Sequence, residues 1–312
     1  MSKYAFGVDI GGTTVKIGLF TEDGNLLDKW EITTRKDNGG AFILGDIAKS
    51  LEKKMAEKSI SKEDVLGVGM GVPGPVKEDG TVVKCVNLGW GIFNAAEELS
   101  KLIGLKVSVG NDANVAALGE MWQGGGKGHE NVVMVTLGTG VGGGIIINGK
   151  IVAGVHGAGG EIGHITIDTE EKETCNCGKS GCLEQYASAT GVVRLANKAL
   201  NDSDKPSKLR DVQYISAKAI FDEAKAGDEL AMQVVEEFGK KLGLALSHIA
   251  EVVDPEVFVI GGGVSKAGQI IIDTVSKYFR MYSFHACRET GFELAKLGND
   301  AGIFGGAKSV LE

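Results

Sequence analysis

One histidine and three cysteines lie close together near the middle of the sequence. His164 is followed by Cys175, Cys177 and Cys182, and the three cysteines fall within eight residues. One imidazole and three thiolates are the ligand set that tetrahedral structural Zn²⁺ prefers, and the glycines among them permit tight turns. The cluster therefore predicts a structural zinc site rather than free buried thiols. Its spacing differs from that of a two-knuckle finger, so DNA binding does not follow.

Three glycine-rich segments each follow an apolar stretch: residues 11–14, residues 138–144 and residues 261–263. Where no Cβ intervenes, backbone N–H groups can approach phosphate oxygens closely. Each segment alone has a structural explanation, namely a tight hairpin turn or a bulge. None matches the P-loop, and the first lies between two strand-like stretches, which also excludes the dinucleotide fingerprint. Together the three segments favour a bound nucleotide.

Several residues around these segments are predicted to contact the phosphates or their Mg²⁺. The aspartate at the end of the first strand can hold the metal, and threonine hydroxyls can donate to phosphate oxygens. The predicted nucleotide-binding residues are Asp9, Gly11, Gly12, Thr13, Thr14, Lys16, Gly138, Thr139, Gly140, Gly261, Gly262 and Gly263.

Asp112 has two interpretations, because it lies where a predicted strand ends and a helix begins. It can cap the helix, the commonest role at this position, or it can accept the proton of a hydroxyl during phosphoryl transfer. Asn111, Glu161 and Glu184 offer polar groups for a polyhydroxylated ligand, although a glutamate is usually solvated surface. His164 can bind zinc with one ring nitrogen and turn the other towards that ligand.

Strand and helix patterns alternate along the chain and predict an α/β fold. The predicted strands are residues 4–10, 15–20, 26–33, 65–70, 107–109, 131–137, 145–147 and 257–260. The predicted helices include the stretch around Leu44 and Met55 and residues 95–103, 232–253 and 301–311. A strand, a glycine turn and a second strand occur near residue 10 and again near residue 140, which indicates two related α/β domains with a cleft between them.

Composition excludes several functional classes. The 312 residues include 48 glycines but only 4 prolines, and no collagen-like period is present. The formal net charge of −8 argues against a nucleic-acid partner. No apolar run reaches the roughly 18 residues of a membrane span, and no signal peptide is evident. We therefore expect a cytoplasmic protein without membrane partners.

Six motifs, in this order, resemble the ROK family of repressors and sugar kinases. They are Asp9-Ile-Gly-Gly-Thr-Thr14, Gly71-Val-Pro-Gly-Pro75, Asn111-Asp112, Leu137-Gly-Thr-Gly-Val-Gly-Gly-Gly144, Glu161-Ile-Gly-His164 with the cysteines up to Glu184, and Gly261-Gly-Gly-Val264. The resemblance implies an actin-like (ribonuclease H-like) two-domain sugar kinase fold with ATP in an interdomain cleft. We place the smaller domain at residues 1–112 plus 301–312 and the larger, zinc-bearing domain at residues 113–300.

The resemblance also implies roles for individual residues. Asp112 becomes the base that deprotonates a sugar hydroxyl, Asn111, Glu161, His164 and Glu184 hold the sugar, and His164 shares zinc with the three cysteines. The pattern is most like that of bacterial glucokinases, so the expected reaction converts glucose to glucose 6-phosphate with ATP and Mg²⁺.

Alternatives to that reaction remain open. One is a kinase for N-acetylmannosamine, N-acetylglucosamine, fructose or mannose, and another is a non-catalytic sugar-binding regulator. Asp9 lies so near the start that a preceding DNA-binding domain is not expected, which favours a kinase. A homodimer or homotetramer is expected because family members often form them.

Overall fold

The computed structural model describes residues 3–311 of the chain. Its strands are β1 (Tyr4–Ile10), β2 (Thr14–Thr21), β3 (Leu26–Thr33), β4 (Val65–Val72), β5 (Thr81–Val82), β6 (Phe93–Asn94), β7 (Val107–Asn111), β8 (Val132–Leu137), β9 (Val141–Ile147), β10 (Lys150–Ile151), β11 (Val257–Gly261) and β12 (Gly291–Leu294). Its helices are α1 (Asp37–Gly40), α2 (Ile43–Lys58), α3 (Ala95–Ile103), α4 (Asp112–Gln123), α5 (Glu184–Ala187), α6 (Ala189–Asn201), α7 (Ala217–Lys225), α8 (Glu229–Val253), α9 (Gly262–Ser265), α10 (Gln269–Tyr282) and α11 (Ala301–Lys308).

Two compact units make up the described chain. The first comprises residues 3–130, 144–160 and 296–311, and the second comprises residues 131–143 and 161–295. These units differ from the domains placed from the sequence, because α4 and residues 144–160 belong to the first unit. The reason is close packing of α4 on α11: a Cβ on Gly119 would lie 2.2 Å from the carbonyl oxygen of Ala301. The domain boundaries drawn from the sequence stay a prediction.

The first unit contains a five-stranded sheet in the order β3-β2-β1-β4-β7. β1 pairs antiparallel with β2 and parallel with β4, and β4 pairs parallel with β7. Helix α2 buries Ile47, Leu51 and Met55 in the same core as β1 and β4, as their helical spacing predicts. Because β1, β4 and β7 run in the same direction, their carboxyl ends bring Asp9 and Asn111 to one edge of this sheet.

The strands of the second half repeat this arrangement. Their order is β10-β9-β8-β11-β12, in which β11 pairs parallel with both β8 and β12. The repeated pattern near residue 140 thus reflects a repeated strand order. One boundary predicted from the sequence is wrong: β9 begins at Val141 and not at Ile145. Gly144 fits inside this strand because the space beside it is filled by Ala117 of α4.

The long helix α8 packs one face into the core of the second unit. It buries Phe238, Leu242 and Leu246 and begins three residues earlier than predicted. The earlier start is explained by Asp228, whose side chain accepts a hydrogen bond from the backbone N–H of Ala231 and so caps the helix. The last helix, α11, ends at Lys308, three residues before the predicted end. Among residues 3–311, no helix is both long and apolar enough to cross a membrane.

Candidate active site

The predicted zinc ligands are close together in the second unit. The ligand atoms of His164, Cys175, Cys177 and Cys182 all lie within 4.8 Å of one another. The Cys177 and Cys182 sulfurs are 3.6 Å apart, and Nδ1 of His164 is 3.9 Å from the Cys175 sulfur. A tetrahedral ion with Zn–S bonds of about 2.3 Å sets neighbouring sulfurs roughly 3.8 Å apart. The cluster is therefore compatible with structural zinc.

The cysteines of this cluster have different electrostatic environments. Burial raises the pKa of the Cys182 thiol to about 12, whereas the backbone N–H of Lys179 lowers the pKa of the exposed Cys177. Without a cation the buried thiol keeps its proton. A divalent ion at the four ligand atoms would favour the thiolate, because metal ligation deprotonates cysteine.

Hydrogen bonds also hold the backbone of His164 in place. The ammonium group of Lys179 donates to the His164 carbonyl oxygen at 2.6 Å, and the backbone N–H of His164 bonds to the Glu161 carbonyl oxygen. Nδ1 is the ring nitrogen on the side of the cysteines. That His164 binds a further partner through its other ring nitrogen, Nε2, stays a prediction.

A network of charged side chains around Tyr186 contacts the loop between His164 and Cys175. This network was not predicted from the sequence. The Tyr186 hydroxyl lies 3.0 Å from a carboxylate oxygen of Asp168 and 2.8 Å from one of Glu171. Lys241 pairs with Asp168 and Arg194 pairs with Glu171. These residues are scattered in sequence, and the one available signal was that Tyr186 follows Glu184 by two residues.

The pKa values of this network follow its contacts. A hydrogen bond from Lys241 lowers the pKa of Asp168 to about 2. Burial opposes ionisation of Glu171, but the Glu173 N–H, the Tyr186 hydroxyl and Arg194 outweigh it and lower its pKa to about 2. The two carboxylates are thus held ionised by their partners.

Glu184 contacts both the cluster of His164 and the three cysteines, called the metal cluster below, and the second glycine segment. One of its carboxylate oxygens accepts the backbone N–H of Val141 at 3.1 Å, and the other lies 3.8 Å from the Cys175 sulfur. A Cβ on Gly140 would lie only 2.1 Å from the first oxygen. A glycine at position 140 therefore gives Glu184 the space for this contact.

The second glycine turn lies against the start of α6. The backbone N–H of Ala189 bonds to the Gly138 carbonyl oxygen, and the Thr190 hydroxyl donates to the Thr139 carbonyl oxygen. Thr139 itself is exposed. The turn is therefore fixed by protein contacts while its outer face stays accessible.

The third glycine segment lies beside the second. Gly261 is in register with Thr136 of β8, and Gly262 has a φ of +85°. A Cβ on Gly262 would lie 2.5 Å from the backbone of Leu137. Next to Gly263 is a cavity of about 200 Å³. Its apolar walls are formed by Ala189, Ala217, Phe221 and Val264.

The first glycine turn and Asp9 belong to the first unit. The backbone N–H of Gly11 bonds to the Thr14 carbonyl oxygen, and Thr13 is exposed. A Cβ on Gly12 would meet nothing within 4 Å. Asp9 lies opposite Lys16 in the β1–β2 pair. Burial raises the pKa of Asp9, and the charge of Lys16 partly offsets this effect.

The structure separates the two interpretations of Asp112. The residue that caps α4 is Asn111, whose side-chain oxygen accepts the backbone N–H groups of Ala113 and Asn114. The Asn111 amide donates to the Gly74 carbonyl oxygen at 3.1 Å, which leaves one amide hydrogen for another partner. Asp112 is the first residue inside the helix, where one of its oxygens accepts the Ala113 N–H. The interpretation of Asp112 as the cap of this helix is therefore wrong, and its assignment as the base stays a prediction.

This chain is similar to known proteins in family, in sequence and in structure. The sequence model of the ROK family matches residues 5–312. A glucokinase from Halalkalibacterium halodurans is 44% identical over 309 residues, which cover 97% of this chain and 94% of the relative. A glucokinase from Thermotoga maritima is 36% identical and covers 98% and 96% of the two chains.

The chain belongs to the ROK family. A ROK family glucokinase from Streptomyces griseus, crystallised with glucose and AMPPNP, is 34% identical and superposes with a TM-score of 0.71 over 98% of both chains. The predicted fold class is confirmed: this ROK protein has an α/β sugar kinase fold of two units and a cysteine and histidine cluster that could bind zinc.

Proposed function

We propose that this ROK protein phosphorylates a hexose with ATP, and that glucose is its substrate and glucose 6-phosphate its product. The observation that carries the proposal is the position of Glu184, which contacts both the glycine turn at Gly140 and the metal cluster. A phosphate-binding turn and a group that can bind hydroxyls are thus adjacent. The glucokinases among its relatives, one of them bound to glucose and AMPPNP, support the same reaction.

Asp112 is the proposed general base. In phosphoryl transfer a carboxylate accepts the proton of the attacking hydroxyl while backbone donors and a metal stabilise the charge of the phosphoryl group. Asn111 already caps α4, so the Asp112 carboxylate is not required for that purpose. Its location at the end of a parallel strand is the usual one for active-site residues of α/β folds.

The proposed sugar-binding groups are Glu161, His164, Glu184 and Asn111. Carboxylate oxygens accept sugar hydroxyl protons, and Nε2 of His164 and the remaining amide hydrogen of Asn111 add two further polar contacts. When bound, zinc would hold His164 and the three cysteines in one arrangement and so orient the His164 ring.

The phosphates are proposed to lie on the backbone of residues 11–14, 138–140 and 261–263. Thr13 and Thr139 are exposed and add hydroxyl donors, and Lys16 adds a positive charge. Asp9 is the proposed ligand of Mg²⁺, directly or through water, and that ion would neutralise phosphate charge. The apolar cavity beside Gly263 is proposed to take the nucleoside, since a flat base suits a narrow apolar space.

We further propose that the protein acts in the cytoplasm, where ATP and reduced thiols coexist, and that it is a homodimer or homotetramer. Support for association comes from the second unit, in which Val252 is 82% exposed, Met281 60% and Phe284 55%. Light scattering of the purified protein checks this, and a monomeric mass at micromolar concentration would contradict it.

The test is ATP consumption coupled to product mass with glucose, mannose, fructose, N-acetylglucosamine and N-acetylmannosamine. We expect a strong preference for glucose, and we expect Asp112→Asn to lower kcat by about 10³ with little change in sugar affinity, because general base catalysis contributes on that order. Asp79→Asn, a change at an exposed turn carboxylate, is the control and should behave as wild type.

Each outcome of this test has a distinct meaning. A retained kcat in Asp112→Asn would contradict the assignment of the base. Preference for another sugar would correct the substrate and keep the reaction. Sugar binding without turnover on any member of the panel would favour the regulator.

A further inference from the structure

Glu120 on α4 is the one acidic or basic side chain in residues 3–311 that is fully buried, with 0% exposure. Both of its oxygens accept backbone N–H groups. One accepts from Gly125 at 2.7 Å and from Lys296 at 3.0 Å, and the other accepts from Leu297 at 2.8 Å. A buried charge is costly unless hydrogen bonds satisfy it, and three donors do so here.

These bonds hold residues 296–300, a segment in which no residue is buried. Lys296 and Asn299 are exposed. Besides Glu120, Lys16 holds this segment through the Asn299 carbonyl oxygen and Lys29 holds it through Asp300. More than half of the Lys29 side chain is exposed, and such pairs contribute little. The backbone N–H groups of residues 296 and 297 are thus both held by the Glu120 carboxylate.

The same segment contacts the proposed phosphate site of the first unit at two points. The ammonium group of Lys16 donates to the Asn299 carbonyl oxygen at 3.1 Å. At the start of α11, a Cβ on Gly302 would lie 2.7 Å from the carboxyl carbon of Asp9, so the backbone here directly limits where Asp9 can lie. A shift of residues 296–302 would thus move both members of the Asp9–Lys16 pair.

We propose that Glu120 is a positioning residue for the Asp9–Lys16 pair and, through it, for the Mg²⁺ and phosphates of ATP. This inference rests on the proposed function for the ATP-binding role of Asp9 and Lys16. Glu120 touches neither substrate, and it acts through the backbone of residues 296–302.

The test is Glu120→Gln, which keeps the shape of the side chain but replaces one carboxylate oxygen by an NH2 group. That group is a donor and cannot accept the backbone N–H groups that it would face. We expect the Kd for Mg²⁺·ATP, measured by calorimetry, to rise about tenfold, as for other residues that orient ligand groups. Amide hydrogens of residues 296–297 should exchange faster, and the KM for glucose should change less than twofold. Unchanged Kd with faster exchange would overturn the proposal.

A matched control separates positioning from loss of stability. Leu51→Ala removes a fully buried side chain of α2 in the same unit. It should lower Tm while leaving the Kd for Mg²⁺·ATP within twofold of wild type. If it weakens Mg²⁺·ATP binding as much as Glu120→Gln does, the effect is general destabilisation and the proposal fails.

A double-mutant cycle with Lys16→Met tests the route through Lys16. If Glu120 acts through the Asp9–Lys16 pair, Glu120→Gln should weaken Mg²⁺·ATP binding less on the Lys16→Met background, and full additivity would overturn the proposal. If Glu120→Gln does not fold, Glu120→Asp is measured instead, with a smaller rise in Kd expected and an unchanged Kd counting against the proposal.

The proposal and the proposed function fail in different ways. A wild-type protein that binds Mg²⁺·ATP but phosphorylates no sugar would overturn the kinase function, while the calorimetric comparison would still decide the role of Glu120. A wild-type protein that binds no Mg²⁺·ATP would overturn both.

Discussion

The two glycine turns that follow β1 and β8 look alike in sequence but are built for different reasons. In the first, Gly12 has open space where a Cβ would be, and the turn is closed by the hydrogen bond from Gly11 to Thr14. In the second, Gly140 makes space for the Glu184 carboxylate, and α6 bonds to the turn from outside. A contact within the protein thus requires a glycine at position 140, whereas no protein atom requires one at position 12, and the sequence does not distinguish the two cases.

The largest expected effect is on the support of the second turn. Gly262→Ala places a Cβ 2.5 Å from the Leu137 backbone at a φ of +85°. Strained backbone and a clash with backbone atoms that cannot move aside should lower the free energy of unfolding by about 3 kcal/mol. Chemical denaturation measures this. Gly263→Ala, with no atom within 4 Å of the added Cβ, is the control, and equal losses in the two variants would refute the explanation.

A smaller effect on stability, but a selective one on function, is expected at the turns themselves. Gly140→Ala should displace the Glu184 carboxylate and raise the KM for the sugar about tenfold, because one charged hydrogen-bonding group is lost from the site. Gly12→Ala should leave the sugar KM unchanged and raise the KM for Mg²⁺·ATP, because its Cβ fills space proposed for phosphate. Steady-state kinetics with each substrate varied checks both.

The two variants of this pair are controls for each other. The comparison between the turns breaks down if Gly12→Ala raises the sugar KM or if Gly140→Ala leaves it unchanged. A large loss of Tm in either variant would show that the glycines are needed for folding and not for the position of Glu184 or of phosphate.

The smallest expected effect is a difference in pH response between the acids of the Tyr186 network and Asp9. The folded pKa values of Asp168 and Glu171 are about 2, below their unfolded values of about 4. The two carboxylates therefore stabilise the fold above pH 4, and this contribution is lost as pH falls towards 2. Asp9 has a raised pKa, so falling pH relieves the cost of its burial. Tm should drop less between pH 6 and pH 3 in Asp168→Asn than in wild type; equal drops would contradict the role of the network.

Most of the strands were predictable because their residues form apolar runs or, in β3, alternate between half-buried and exposed positions. The bounds of β1, β3 and α3 match the predicted ones, since each has clear turn or cap signals at its ends, such as Asn94 before α3. The start of β9 was not predictable, because glycine has a low local preference for strands. Whether a glycine lies inside a strand depends on which tertiary neighbour packs against it.

The candidate site was predictable where its residues lie close together in sequence. The histidine and cysteine cluster that could bind zinc was predictable because three of its four residues lie within eight residues and their chemistry is distinctive. The Tyr186 network and Glu120 were missed, because ordinary charged residues acquire a role only from partners distant in sequence. Glu120 lies among the buried residues of α4, but its partners Lys296 and Leu297 are more than 170 residues away.

The sequence by itself determined the histidine and cysteine set that could bind zinc, the alternation of strands and helices, and the motifs of a ROK protein, because each depends on residue types at short spacing. Only the tertiary structure decided that Asn111 rather than Asp112 caps α4, that Glu184 contacts both the glycine turn and the metal cluster, and that Glu120 holds residues 296–297. These are questions of which hydrogen-bonding groups meet, and that depends on how the chain brings distant segments together.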